Sequence, residues 1–375
     1  MTAELPKPSS RLQGWSSSLA SLAGSPLSLK PEFPEIAARW EAWWRFEADR
    51  PLFIAHRPDD PSIRWGKAFD LLDDPEAYLD VRRRQVEATH WAGDAVPMLR
   101  VDLGPVAMAP FLGAPISFSE SEQTSWHEPV WADADPLPLP VLDPENPWLV
   151  RTLDLLRHVA ADAAGRYLVA FPDLTGAVDT LANLRSSEQL CFDAVEDPDR
   201  MRQAADAAVA AWWEVFAAMH DTVLAEGAGV TQWLNAWSMT PHTVPTCDFN
   251  VLLGPDAFRE VCLPSLESQA RLAGRCLFHL DGPQAARHAP ALAGSAAITA
   301  VQYTPGTATP SALAKLDMLR MLQEHGKPIL VVTPEDEIEA VCQALDRRGL
   351  ALWIEGPSSV ARADELAAMV RRFPA

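Results

Sequence analysis

The stretch Cys276-Leu277-Phe278-His279-Leu280-Asp281-Gly282 sets an imidazole and a carboxylate two residues apart at the end of an apolar run. In a strand, residues i and i+2 share a face. His279 and Asp281 would then project together. Three kinds of chemistry fit such a pair: acid–base catalysis, metal ligation, or the capping of a strand end. A lone histidine in an apolar run reads as a core residue. A histidine followed by Asp and Gly at a strand exit reads as a functional site.

Further polar residues close other apolar runs. His56, Asp102 and Asp173 end three of them, and Gln302, Tyr303 and Glu355 end two more. Trp233, Asn235 and Trp237 alternate along another, and His242, Cys247 and Asp248 follow it. Asp102 and Asp173 fit substrate contacts and turn caps equally well. The two tryptophans fit packing as readily as a cleft wall. Cys247, in an irregular stretch, is the one cysteine placed as a candidate reactive thiol.

These residues need elements to position them. Eight short apolar runs stand out: 52–56, 95–102, 167–173, 229–237, 276–282, 297–303, 328–333 and 350–356. Helical patterns separate them, including 35–48, 74–91, 146–165, 197–227 and 254–274. Pro264 marks a kink or break in the last of these. Strands alternating with helices predict a parallel sheet, and eight of them predict an α/β fold of the (β/α)8 TIM-barrel type. Active sites in such barrels lie at the C-terminal ends of the strands, where the polar residues above cluster. Residues 113–147, proline-rich with strand-like alternation, read as a hairpin and loop inserted after the second strand, near the mouth. Residues 1–34 read as a flexible or partly ordered arm, and 35–375 as a single domain.

Composition narrows the function. The 375 residues carry 51 acidic and 31 basic side chains, a formal charge of −20. That disfavours nucleic acid and anionic membranes as partners. No apolar run is long enough to span a bilayer, and no signal-peptide pattern opens the chain. The five cysteines are scattered, which suits a reducing cytoplasm and excludes a four-cysteine zinc site.

The phrases CDFNVLLGPDAFREVCLPSL, FHLDGPQAARHAPAL and ITAVQYTPG resemble the uroporphyrinogen decarboxylase superfamily, and more closely its decarboxylase-like and corrinoid-methyltransferase-like branch. THWAGDAVPMLRVDLGPVAMAPFLG and FPDLTGAVDTLANLR extend the likeness, which runs from about residue 36 to the C-terminus. It implies a (β/α)8 barrel and an enzyme acting on a small molecule. The porphyrinogen decarboxylases use an N-terminal motif with two arginines. Here LFIAHRPDDP stands in its place, leaving Arg57 alone as a substrate-binding candidate.

The methyl-transferring relatives hold zinc with a His-x-Cys pair and a second cysteine near the last strand. His279 matches the histidine, but Asp281 and Glu355 stand where the cysteines would be. The resemblance thus leaves His279, Asp281 and Glu355 as a set for a divalent metal such as zinc. Without metal, His279, Asp281 and Asp248 serve as the catalytic residues. Asp102, Asp173, Trp233, Asn235, Trp237, Gln302 and Tyr303 join Arg57 as substrate contacts. Methyl transfer leads, with a separate corrinoid protein as an expected partner and a homodimer as an expected assembly. The alternatives are cofactor-free decarboxylation of a small carboxylic acid and a non-catalytic ligand-binding barrel.

Overall fold

A computed structural model describes residues 9–60, 62–306 and 311–375. Twelve strands organise it. They are β1 (Leu52–Pro58), β2 (Thr89–Gly93), β3 (Met98–Arg100), β4 (Ile116–Ser119), β5 (Thr124–His127) and β6 (Leu168–Ala170). Then come β7 (Gly229–Thr231), β8 (His242–Thr243), β9 (Arg275–Asp281), β10 (Ala300–Thr304), β11 (Ile329–Val332) and β12 (Leu350–Glu355). Each of the eight apolar runs contributes a strand, and helices fill the intervals. The fold is α/β with parallel sheet, as the alternation predicts.

The ladders fall into two main sheets. One runs β2-β1-β12-β11-β10-β9-β8, and the other β3-β6-β7. Two strands that sequence did not anticipate stand at the ends of the larger sheet. β2 pairs antiparallel with β1, and it occupies residues expected at the end of helix 74–91. That helix, Pro75–Glu87, stops earlier. β8 pairs with β9. Asn235 bonds both backbone groups of Val96, its Oδ1 accepting from the amide at 2.9 Å and its Nδ2 donating to the carbonyl at 2.7 Å. One apolar core unites both sheets and the helices, from Trp15 to Val370. Among the described residues, no helix is long and apolar enough to cross a membrane.

Helix starts follow their capping residues. Asn146 accepts from the amides of Trp148 and Leu149, and Asp197 from that of Arg200. Each frees its helix from unsatisfied N–H groups, with proline in the first turn. The helical stretch breaks just before Pro264, as expected. A π-turn over Phe258–Cys262 precedes it, and it sits in the first turn of helix Leu263–Ala273.

The first eight residues of the expected arm lie outside the described residues. The rest includes α1 (Ser9–Ala23), which packs on the N-terminal ends of the strands. The Trp15 ring stacks on His220 at 4.7 Å, and its Nε1 donates to Asp221 at 2.8 Å. Leu12 and Leu22 approach Gly274 and Gly229, which begin or precede β9 and β7. α2 (Phe33–Trp44) follows and buries Phe33, Ile36, Trp40 and Trp43.

At this same end the charges are matched. Asp94 has no exposed surface, and it accepts from Arg39 at 2.7 Å, Arg50 at 2.8 and 3.0 Å, and the Phe53 amide at 3.0 Å. Burial pushes its pKa up, but the hydrogen bond and charge of Arg50, with Arg39, outweigh that and hold it low. Glu41 takes Arg275 at 2.7 and 2.9 Å and the Met239 amide at 2.6 Å.

Within 113–147, β4 and β5 form an antiparallel hairpin. It seats on two glycines. A Cβ at Gly104 would come within 2.1 Å of Ser125 Oγ, and one at Gly66 within 2.7 Å of Gln123 Oε1. Both have positive φ, +81° and +116°. Only glycine meets both demands.

Candidate active site

The parallel register sorts the strand-end residues onto faces. His279 pairs with Gln302 and Asp281 with Thr304 across β9 and β10. Gln302 pairs on with Leu330, and Val332 with Trp353. In β1 and β12, Ile54 meets Trp353 and His56 meets Glu355. By the two-residue period, His279, Asp281, Gln302, Thr304, Trp353, Glu355 and His56 share one face. Tyr303 and Arg57, one residue out of step, take the other. Tyr303 is buried there, and burial together with Asp281 pushes its pKa up to about 12. Arg57 donates to the Pro357 carbonyl. Neither joins the cleft, contrary to the sequence expectation.

His279 is held from two sides. Its Nδ1 bonds Gln302 Oε1, and Trp233 meets its ring edge-on at 5.0 Å. Gln302 Nε2 donates to Thr304 Oγ1 at 2.8 Å, and in this arrangement the amide oxygen faces the imidazole. An oxygen there accepts, so Nδ1 carries the proton and Nε2 keeps its lone pair.

Asp173 lies within charge range of this histidine, and Asp179, Asp248 and Asp281 cluster with it. Asp179, nearly buried, accepts from Thr246 Oγ1 at 2.7 Å and from the amides of Asp248 and Phe249 at 2.8 and 3.0 Å. It thereby pins the loop that presents Asp248. Asp248 is exposed at the surface yet closely ringed by protein atoms. That crowding strips solvent, and Asp179, Asp281 and Asp173 add like charge, raising its pKa to about 7. Asp173 is also raised, by burial against the lowering charge of Arg100. Its Oδ1 accepts from the Thr175 amide at 2.9 Å, so it caps the turn and faces the cluster at once. Thr175 itself has φ +50°, a strained value for a β-branched residue at the turn into helix Ala177–Arg185.

A cavity of about 780 Å³ opens at the ends of β9 to β12, lined by Asp281, Thr304, Thr333 and Glu355. Asp281 and Glu355 thus share a cleft, but His279, Asp281 and Glu355 do not converge. β9 and β12 lie three strands apart, about 14 Å at ordinary strand spacing. Among the described residues, no three His, Cys, Asp or Glu side chains lie close enough to hold one ion. The placed residues do not fit the metal set that the resemblance implied.

Other expectations fall at the fourth run. β7 ends at Thr231, and Asn235 turns the chain with φ +56°. Trp233 therefore stays by His279, but Asn235 is spent on Val96. Trp237 lies fully buried against Phe33 at 4.9 Å, toward the N-terminal end. Asn235 and Trp237 are structural, not substrate contacts. Cys247 is buried beside Cys262, and their contact together with burial raises its thiol pKa well above the ordinary value. A protonated buried thiol is no nucleophile.

Asp102 faces a second group of residues. Its Oδ1 accepts from the Gly104 amide at 2.7 Å, while Oδ2 lies 3.7 Å from Lys67 Nζ and 3.5 Å from Arg100 Nε. Sequence reading missed Lys67, Arg82, Arg100 and Asp179. Arg100 was within reach, two residues before Asp102 on the same strand face. Asp179 required recognising a short helix after FPDLTG, which no apolar stripe announces.

No family model matches the chain, and no curated protein matches it. In three dimensions it is similar to a methyltransferase from Methanosarcina mazei, with a TM-score of 0.57 over 90% of this chain and 98% of that one. The two are 13% identical, so the likeness is one of fold.

Proposed function

We propose that the chain is an enzyme that transfers a methyl group to a small acceptor at the C-terminal ends of its parallel strands. One observation carries the reading: the Gln302–His279 bond leaves Nε2 as a base, and Asp281, two residues on along the same strand face, adds to the charge that raises the Asp248 carboxyl to about 7. An imidazole base and a carboxyl raised to about 7 suit proton transfer in a displacement. The fold shared with a methyltransferase supports methyl as the group.

In this reading the acceptor X–H gives its proton to His279 Nε2, and X attacks the methyl carbon. The bond from carbon to the donor breaks and its electron pair stays with the donor; Asp248 supplies a proton only to a donor that leaves as a basic group, and a corrinoid leaves without one. Trp233 walls the imidazole, and Gln302 holds its tautomer. The sequence resemblance points to a corrinoid on a separate protein as donor. We further propose that the two sheets are arcs of one eight-stranded barrel, a reading supported by the parallel pairing of the strands from all eight apolar runs around one core.

The test offers the purified protein methylcobalamin with a panel of small thiols, amines and hydroxy compounds. Protein-dependent loss of the methyl–cobalt absorbance, with methylated acceptor formed, is expected. Its absence, with CO2 released from small carboxylic acids instead, would replace the reading with decarboxylation.

A further inference from the structure

The mouth holds a second chamber, between β1, β2 and β3 and under the β4–β5 hairpin. It has a volume of about 400 Å³, within the range of small-ligand sites. His56, Lys67, Arg82 and Arg100 line it, with Trp65 and Trp91 among the apolar walls. In a chain with 51 acidic and 31 basic residues, three cations around one small space are out of character.

Their charge is not balanced locally. Asp102 is the carboxylate within ion-pair distance of Lys67 and Arg100. Arg82 donates to the carbonyls of Gly66 and Arg100 and to Gln85 Oε1, and pairs with no carboxylate among the described residues. Against three cations there is one anion.

Donors are also left over. Arg100 Nε lies 3.5 Å from Asp102 without hydrogen-bond geometry, and it is buried with no partner. Arg82 Nε and His56 Nδ1 are buried and unpartnered too. Buried donors without acceptors are costly, and folded proteins rarely keep them idle. Aromatic surface completes the picture: the His56 and Trp91 rings stack at 5.5 Å.

We infer that this chamber binds the carboxylate of a small planar acid, with Arg100 and Arg82 as its anion contacts and Trp65 and Trp91 as walls for its apolar body. The chamber adjoins the His279 cleft, because Arg100 sits over the Trp233 ring at 5.8 Å and Trp233 meets His279. As the substrate-binding arm of the proposed transferase, it rests on that reading for its role. The binding itself does not need turnover.

Calorimetric titration separates the two. Benzoate is the probe, and benzamide, its neutral isostere, is the control. Saturable benzoate binding is expected, with benzamide at least about ten-fold weaker, since a charge-assisted contact is lost. Arg100→Met should weaken benzoate about ten-fold or more, and Arg82→Met should do so independently if the first variant folds poorly. His279→Ala should keep benzoate affinity within about two-fold, whatever it does to catalysis. Equal binding of benzoate and benzamide, absence of benzoate binding, or loss of it in His279→Ala alone would overturn the assignment. Tighter binding of inorganic phosphate than of benzoate would overturn the carboxylate class.

Discussion

The two ends of the strands handle charge in opposite ways. At the N-terminal end, Asp94 meets Arg39 and Arg50, and Glu41 meets Arg275, each with hydrogen bonds on both sides. At the C-terminal end, Asp173, Asp179, Asp248 and Asp281 crowd one another, while cations collect separately a few side chains away. Charges paired at close range hold elements together. Charges kept apart from partners leave interaction energy for a ligand, and the fold tolerates them because the other end and the core supply the stability.

The sharpest way to break this comparison is at Asp94. Asp94→Ala strands two arginines, one of them nearly buried, and should cost about 3–5 kcal/mol in chemical denaturation. A loss under about 1 kcal/mol would show that the N-terminal pairs do not carry stability as argued. His279→Ala should do the reverse. Transfer activity in the methylcobalamin assay should fall by about 100-fold or more, with the melting temperature little changed, because a strand-end imidazole fills little core. A variant that melts early would move His279 to the structural side.

Asp179→Asn probes the boundary between the two. Its amide nitrogen would face a donor in a site built of donors, at a cost of about 1–3 kcal/mol. Activity should fall as well, since the Asp248 loop loses its anchor. Stability lost with activity intact would detach the loop from the chemistry.

The smallest effect tests the sign. The Asp248 pKa is raised, so the native state holds its proton more tightly than the unfolded chain does. Stability then declines as pH rises from about 4 through about 7, where the folded group ionises. Asp248→Asn should remove that decline, raising the melting temperature at pH 8 relative to wild type but not at pH 3. In wild type, activity that needs the acid should fall above about pH 7, and the variant should lose that limb. An unchanged pH profile would assign Asp248 no proton.

Much of the fold could be read directly. Eight apolar runs became strands because each is short and apolar, with helices in the intervals. His279 and Gln302 were legible because strand period and strand end are local properties. What failed depended on backbone turns that composition does not encode. The positive φ at Asn235 cut a nine-residue run to a three-residue strand and sent Trp237 to the wrong end for substrate. Tyr303 and Gln302 looked equivalent, although adjacent residues in a strand cannot share a face. The metal set failed for a topological reason, since strands adjacent to the same mouth can still be three positions apart.

The helix α1, packed across the N-terminal ends of the strands, has a kinetic consequence. In the barrel proposed above, it would close the N-terminal end and leave one rim for all traffic. A methyl donor carried on another protein would cover that rim while it delivers. The small acceptor must then be seated first, and the product released only after the carrier departs. Such a catalyst works by compulsory order, and its turnover is timed by a departing partner.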